Sequence, residues 1–300
     1  MNETCNCSVR RVTLGGLLVN LSLCAIKFIA GTLGHSRAVV ADAVHSLSDL
    51  TTDIAVLAGS TVWEKPPDAR HPYGHRRIET MVALFVGGML ALAGLGLGGN
   101  AVAAFRAPSS QAPGAIAFFA AMISILSKEL LYRWTLNCGK CVGSIALEAN
   151  ARHHRSDALS SIPTALAVAA SHLGPSWLIL DSVGAIVVSL FILYSAWKIM
   201  WPGMMELTDF AAPANVQNRI REIAEAIPGV HEVHNIRTRY VAARLQIDLH
   251  VLVDPTMTVA RGHDIASEVR NNLIEQGPDV FDVIVHLEPY DPTHSKRSDP

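Results

Sequence analysis

Charge is scarce in this sequence. Only 17 % of its 300 residues are Asp, Glu, Lys or Arg, against about 25 % in an average soluble domain. Half of the residues are hydrophobic, and the mean hydropathy of +0.30 is high for a soluble protein. The scarcity is uneven. Residues 1–207 carry 15 basic and 12 acidic side chains, a net of +3, whereas residues 208–300 carry 9 and 14, a net of −5. A long apolar part therefore precedes a short acidic one, the pattern of a membrane domain followed by a soluble domain.

Other features are missing as well. The five cysteines, Cys5, Cys7, Cys24, Cys138 and Cys141, are odd in number and lack framework spacing, which argues against a disulfide scaffold. Cys138 and Cys141 form one C-x-x-C without a second pair and read as reduced thiols in a cytoplasmic loop. The polar start MNETCNCSVRR leads into a long apolar run with no small-residue cleavage site, so no signal peptide is expected. There is no internal repeat and no low-complexity tract. The chain also lacks H-E-x-x-H, so an intramembrane metalloprotease, which needs a base beside a metal-activated water, finds no support.

What is present is a series of apolar runs. A bilayer core about 30 Å thick requires about 20 residues of helix. Six segments meet that need, at roughly 12–33, 38–62, 78–104, 113–135, 145–172 and 177–200. The third is uncharged from Thr80 to Phe105, and its glycines (Gly87, Gly88, Gly94, Gly96, Gly98, Gly99) predict close helix packing. Arg10, Arg11, Lys65, Arg70, Arg76, Arg77, Arg133, Lys140 and Lys198 fall on one side of these spans, against Arg37 and Arg106 on the other. The basic side should be cytoplasmic, and an even number of spans places both termini there.

The second and fifth runs carry ionisable residues where lipid would make them costly. ADAVHSLSDLTTD places His45 and Asp49 four residues apart, on one helix face, and ARHHRSDALSS repeats the spacing with His153 and Asp157. Two imidazoles and two carboxylates make four ligands, the number that suits tetrahedral zinc. Asp42 and Asp53 lie on neighbouring turns as pathway or supporting groups, and His154, rotated about 100° from His153, reads as interfacial. Between the second and third runs, EKPPDARHPYGHRRIE spaces Asp68, His71 and His75 as three further ligands. That segment equally reads as a basic, proline-rich loop.

Beyond Pro202 the periods change. PANVQNRIREIAEAI and MTVARGHDIASEVRNNLIEQ have helical period, while VHEVHNIRTRYVA, ARLQIDLHVLVD and DVFDVIVHLEP alternate as strands. Helix–strand–strand–helix–strand in about 80 residues predicts a small α+β layer pair. His234, His250, His263 and His286 are distributed over it, and Glu288 shares a strand face with His286.

ADAVHSLSD, HPYGHRRIE and HHRSD together resemble the cation diffusion facilitator family of divalent metal/proton antiporters, over nearly the whole chain. The resemblance implies a six-helix transport domain at 1–207, a ferredoxin-like, metal-binding and dimerising cytoplasmic domain at 208–292, and a disordered tail at 293–300. It places the transport site on His45, Asp49, His153 and Asp157, a second metal site on Asp68, His71 and His75, and a cytoplasmic site on His234, His250, His263, His286 and Glu288. It also pairs Arg77 with an acid near the end of the sixth helix, for which Glu206 aligns better than Asp209. The implied protein is an inner-membrane homodimer, not an enzyme. It needs no cofactor and has no nucleic-acid partner. Its substrate and regulatory ligand is zinc, with cadmium, iron and manganese as alternatives, because imidazole favours zinc over the harder, oxygen-preferring manganese.

Overall fold

The computed structural model describes residues 9–63, 65–106, 112–142, 145–174, 177–242 and 244–291, so the expected tail at 293–300 lies outside the described residues. The chain forms two compact units. One comprises residues 1–59 and 82–200, and the other residues 60–81 and 201–300, so the loop expected within the transport domain groups with the C-terminal residues.

The first unit is helical. Its elements are α1 (Val9–Leu33), α2 (Arg37–Trp63), α3 (Arg77–Arg106), α4 (Ala115–Val142), α5 (Ile145–Ser160), α6 (Ile162–Ser171) and α7 (Ile179–Leu207). Four of these, α1, α3, α4 and α7, are long and apolar enough to cross a membrane. The α3 and α4 helices leave Phe85, Leu92, Leu95, Phe119, Leu126 and Leu130 more than half exposed, an apolar surface that belongs against lipid. The other two predicted spans differ for a physical reason. The α2 helix carries the ionisable residues that lower its hydropathy, and the fifth run is two helices. Its break falls at Ser161, just before Pro163, which has no N–H to continue the ladder.

Glycine permits a close approach of α3 to α7. A Cβ on Gly98 would stand 2.9 Å from Ser189 Oγ, and one on Gly94 3.1 Å from Ile192 and Leu193. Gly88, Gly96 and Gly99 face open space, so only part of the glycine series serves packing. The C-x-x-C pair lies in the last turns of α4 rather than in a loop. Cys138 is buried beside Val12 and Leu147. Cys138 and Cys141 both stand in disulfides, contrary to the expected reduced thiols, and Cys24 is a buried free thiol.

Polar ties hold the helices. Asp181 at the start of α7 accepts from Ser36 Oγ at 2.5 Å and from the backbone N–H groups of Arg37 at 2.8 Å and Ala38 at 3.4 Å. It thereby caps the first turn of α2 from another helix, where donors are otherwise unsatisfied and negative charge is favoured. Lys27 on α1 pairs with Asp42 on α2 at 2.8 Å, each side chain 1 % exposed. The same ammonium donates to Ser46 Oγ at 3.1 Å and Ser161 Oγ at 3.2 Å, and Ser161 in turn donates to Asp42 at 3.0 Å. This network joins α1, α2 and the α5–α6 break. The side chain of Asp53 lies outside the described residues.

The second unit contains α8 (Ala214–Glu225), β1 (Glu232–Val241), β2 (Arg244–Val253), α9 (Val259–Gln276) and β3 (Val280–Pro289), in the order the periods predict. The sheet order is β1-β2-β3, with β1 antiparallel and β3 parallel to β2. Leu245, Ile247, Leu249 and Val251 alternate along β2 and pack with Ile220 and Ile223 of α8 and Ile265, Val269 and Leu273 of α9. The helices therefore cover one face of the sheet, and the intervening residues of the strands occupy the other. This is the expected α+β, ferredoxin-like layer pair.

The buried pair yields a stability prediction. Lys27→Met leaves Asp42 unpaired in the helical unit and should destabilise it by about 3–5 kcal/mol. The double change Lys27→Met with Asp42→Leu should recover most of that loss, read as melting temperatures of the detergent-purified protein. Equal melting temperatures for wild type and Lys27→Met would contradict the tie.

Candidate metal sites

The α2 and α5 helices bring the intramembrane ligands together. His45, Asp49 and Asp157 each offer a ligand atom within 4.8 Å of the others. His153 lies at the edge of this triad. Its Nδ1 is 3.6 Å from Asp157 Oδ1, while its side chain remains 48 % exposed. All four residues line one cavity of about 560 Å³, together with Tyr194 and Lys198. Two ligand atoms of the triad, His45 Nδ1 and Asp49 Oδ2, are buried without a hydrogen-bond partner among the described residues. Buried polar atoms are rarely left so. Orphaned lone pairs converging with a second carboxylate are a donor set that could hold a cation.

Two neighbouring residues were missed in the sequence. Lys128 on α4 pairs with Asp157 Oδ2 at 2.7 Å and is 2 % exposed, and Lys27 ties Asp42 as described. Both lysines interrupt apolar runs, in ILSKELL and CAIKFIA. The rule that singled out the intramembrane histidines and aspartates would have found them. His154, expected at the interface, is instead 3 % exposed. Its ring lies under α1, 3.6 Å from where a Cβ on Gly16 would stand, because its side of α5 packs inward against α1 and α4.

In the second unit, Asp68, His71 and His75 converge as the spacing predicted. Asp68 Oδ1 lies 3.2 Å from His71 Nδ1, Asp68 Oδ2 lies 3.4 Å from His75 Nε2, and the two rings are 4.2 Å apart. Local chain chemistry sets this up. Asp68 Oδ1 accepts from the backbone N–H groups of His71 at 2.7 Å and Arg70 at 2.8 Å, an Asx turn that folds the segment back on itself. Gly74 closes it with φ +82°, a conformation that side chains resist. The same N–H groups, His71 first and then Arg70, hold the Asp68 carboxyl below the usual carboxylate range. His75 Nδ1 is buried without a partner among the described residues.

Arg77 reaches Asp209, not Glu206, at 3.3 Å. Glu206 is buried and committed elsewhere, accepting from Thr80 Oγ1 at 2.6 Å and Ala242 N at 3.1 Å. Arg77 at the start of α3 and Asp209 just past the end of α7 are both about half exposed.

On the open sheet face, register does the assembling. His234, His250 and His286 are cross-strand partners in one row. Glu288 lies 3.2 Å from His234 Nε2, 2.8 Å from His250 Nδ1 and 3.6 Å from His286 Nε2. His250 Nε2 stands 3.1 Å from Asn235 Nδ2, which can only donate, so the ring proton sits on Nδ1 and points at Glu288. Asn235 was not singled out in the sequence. It occupies the β-bulge after His234 with φ 49°, a conformation asparagine tolerates. His234, His250 and Glu288 form the tight ligand group. His263 does not join it, because α9 lies on the covered face of the sheet and His263 is exposed there. A carboxylate among three imidazoles is a donor set that fits zinc.

A helical domain with four membrane-crossing helices and a candidate cation site, followed by an α+β domain with its own row of candidate ligands, is the arrangement of a multi-pass membrane protein that handles metal cations. Residues 14–208 match the family model described as the cation efflux transmembrane domain, and residues 212–290 match that of the cation efflux protein cytoplasmic domain. The chain belongs to this family, the cation diffusion facilitators. It is 34 % identical over 289 residues to Metal tolerance protein C1 of Arabidopsis thaliana, covering 91 % of this chain and 61 % of that one, so it spans about three-fifths of that relative's length. It is 32 % identical over 287 residues to the manganese efflux system protein MneP of Bacillus subtilis, covering 94 % and 96 %. It is also 32 % identical over 272 residues to the magnetosome protein MamM of Paramagnetospirillum magneticum, covering 89 % and 84 %.

The loop geometry separates charge from turn. Asp68→Asn keeps an acceptor for the His71 and Arg70 N–H groups but loses the charge, so it should weaken metal binding at the loop by about tenfold or more while preserving the fold of the segment. Asp68→Ala should lose both, seen by isothermal titration together with amide exchange of residues 70–74. Because the folded carboxyl titrates below its unfolded value, its stabilisation of the turn is complete above about pH 4 and is lost only as pH falls through the lower folded value. Amide protection of His71 that collapses well above pH 4 would contradict this.

Proposed function

We propose that the protein exports a divalent transition metal from the cytoplasm in exchange for protons, with zinc as the substrate. The observation that carries this reading is the His45, Asp49 and Asp157 triad within 4.8 Å on two helices, with two ligand atoms orphaned. His153, with Nδ1 3.6 Å from Asp157 Oδ1, is the fourth ligand of this proposed site. Metal is held by deprotonated ligands, so protons entering from the far side compete for the same imidazoles and carboxylates and expel the ion. The triad opens alternately to each side as the helices rearrange. The protein works as a homodimer in the inner membrane with both termini cytoplasmic. Metal at the Asp68 and His234 groups acts as a regulatory ligand, favouring the transporting state.

A second reading is manganese or iron export, with cadmium as a further substrate. The triad as it stands contributes two carboxylates and one imidazole, an oxygen-rich set that harder ions accept, and a relative of matching length is named for manganese efflux. Both readings share the site and the direction of transport.

Flux into proteoliposomes under a pH gradient tests the proposal. Asp49→Ala and Asp157→Ala should each reduce metal flux by more than about 100-fold with folding intact. His45→Asp should shift preference from zinc toward manganese. Parallel runs with zinc, cadmium, iron and manganese decide between the readings. Metal binding without flux in any of them would leave a sensor or scaffold and overturn the proposal.

A further inference from the structure

Two buried lysine–aspartate pairs lie within the helical unit, and they are not equivalent. Lys27 is satisfied all round, by Asp42, Ser46 and Ser161, and this is the environment of a structural pair. Lys128 has a different partner. Its ammonium lies 2.7 Å from Oδ2 of Asp157, one of the residues of the candidate cation site, with the lysine 2 % and the aspartate 9 % exposed. The other oxygen, Oδ1, faces His153 Nδ1 at 3.6 Å. The two oxygens of Asp157 thus have separate neighbours, one the α4 lysine and the other a transport-site imidazole.

We infer that Lys128 is a specificity-determining residue of the transport site: it holds Oδ2 of Asp157, so that this carboxylate meets the substrate cation through Oδ1 alone, and its charge weakens the grip on every divalent ion. The inference rests on the transport-site reading given above. Its chemistry follows from ligand count. Zinc is content with four single-atom ligands. Manganese prefers more oxygen donors, and a carboxylate that closes on it with both oxygens is the nearest source of another. Lys128 blocks that mode. It also reduces the formal charge presented by Asp49 and Asp157 from two negatives to a net of one, which favours release of a bound ion as well as limiting affinity.

The experiment is KM and kcat for zinc and manganese flux in proteoliposomes. Lys128→Met keeps length but removes charge and donor. It should lower KM for zinc about tenfold and lower that for manganese further, so that the preference for zinc falls at least about threefold, with kcat reduced because release is slower. Lys128→Gln keeps a donor to Oδ2 without charge. It should lower both KM values alike and leave the preference unchanged.

A folded Lys128→Met protein with wild-type KM values, with both KM values lowered equally, or with no flux for either ion, overturns the inference. If Lys128→Met does not fold, Lys128→Gln decides, and an unchanged zinc KM overturns it. Asp49→Ala separates this failure from that of the underlying reading. Normal flux in Asp49→Ala removes the transport site itself, whereas lost flux there with unaltered kinetics in Lys128→Met removes only the role of Lys128.

Discussion

Charge balance inside the helical unit is the constraint on which the rest depends. Taking an isolated carboxylate or ammonium out of water costs several kcal/mol even after relaxation. This unit nevertheless buries Asp42, Asp157, Asp181, Lys27 and Lys128. Each acid is matched: Asp42 by Lys27, Asp157 by Lys128, and Asp181 by the donors at the start of α2. Asp49 is the exception. One of its oxygens has no hydrogen-bond partner among the described residues, and the carboxylate lies within reach of His45 and Asp157. A surplus of negative charge and unpaired lone pairs at one point in an otherwise balanced interior is what a mobile cation substrate would complete.

The fold serves that balance. The break at Ser161 frees a hydroxyl that joins the Lys27–Asp42 pair, so the discontinuity in the fifth run is also a polar anchor. Asp181 ties the start of α2 to α7, and α2 is the helix that carries His45 and Asp49. The α+β unit solves the same problem with different means. Strand register places three histidines in one row, within reach of the Glu288 carboxylate. There the groups are only partly buried, so charge can be exchanged with solvent at low cost.

Much of this was legible in the sequence because it follows from period and spacing. The i, i+4 repeats of His45 with Asp49 and His153 with Asp157, and the alternation of β2, each dictate a shared face before any tertiary contact is known. Asp68, His71 and His75 converge for a related reason, since an Asx turn needs only local chain. What was not legible depends on side chains from distant elements. Glu206 aligned better with Arg77, yet Thr80 and the Ala242 N–H claim it, leaving Asp209 for the arginine. His263 carried the right chemistry on the wrong side of a sheet. His154 was placed by angle alone, whereas packing under α1 buries it. Lys128 lay in plain view, but its importance comes from a partner 29 residues away.

In the proposed mechanism one ion is shared between α2 and α5. Anomalous diffraction at the zinc edge from crystals grown with zinc tests it most directly. A zinc peak is expected within bonding distance, about 2.0–2.2 Å, of His45, Asp49 and Asp157, with the His153 ring turned inward as the fourth ligand. Zinc confined to the Asp68 and His234 groups, with His45 and Asp49 still unpartnered, would contradict it.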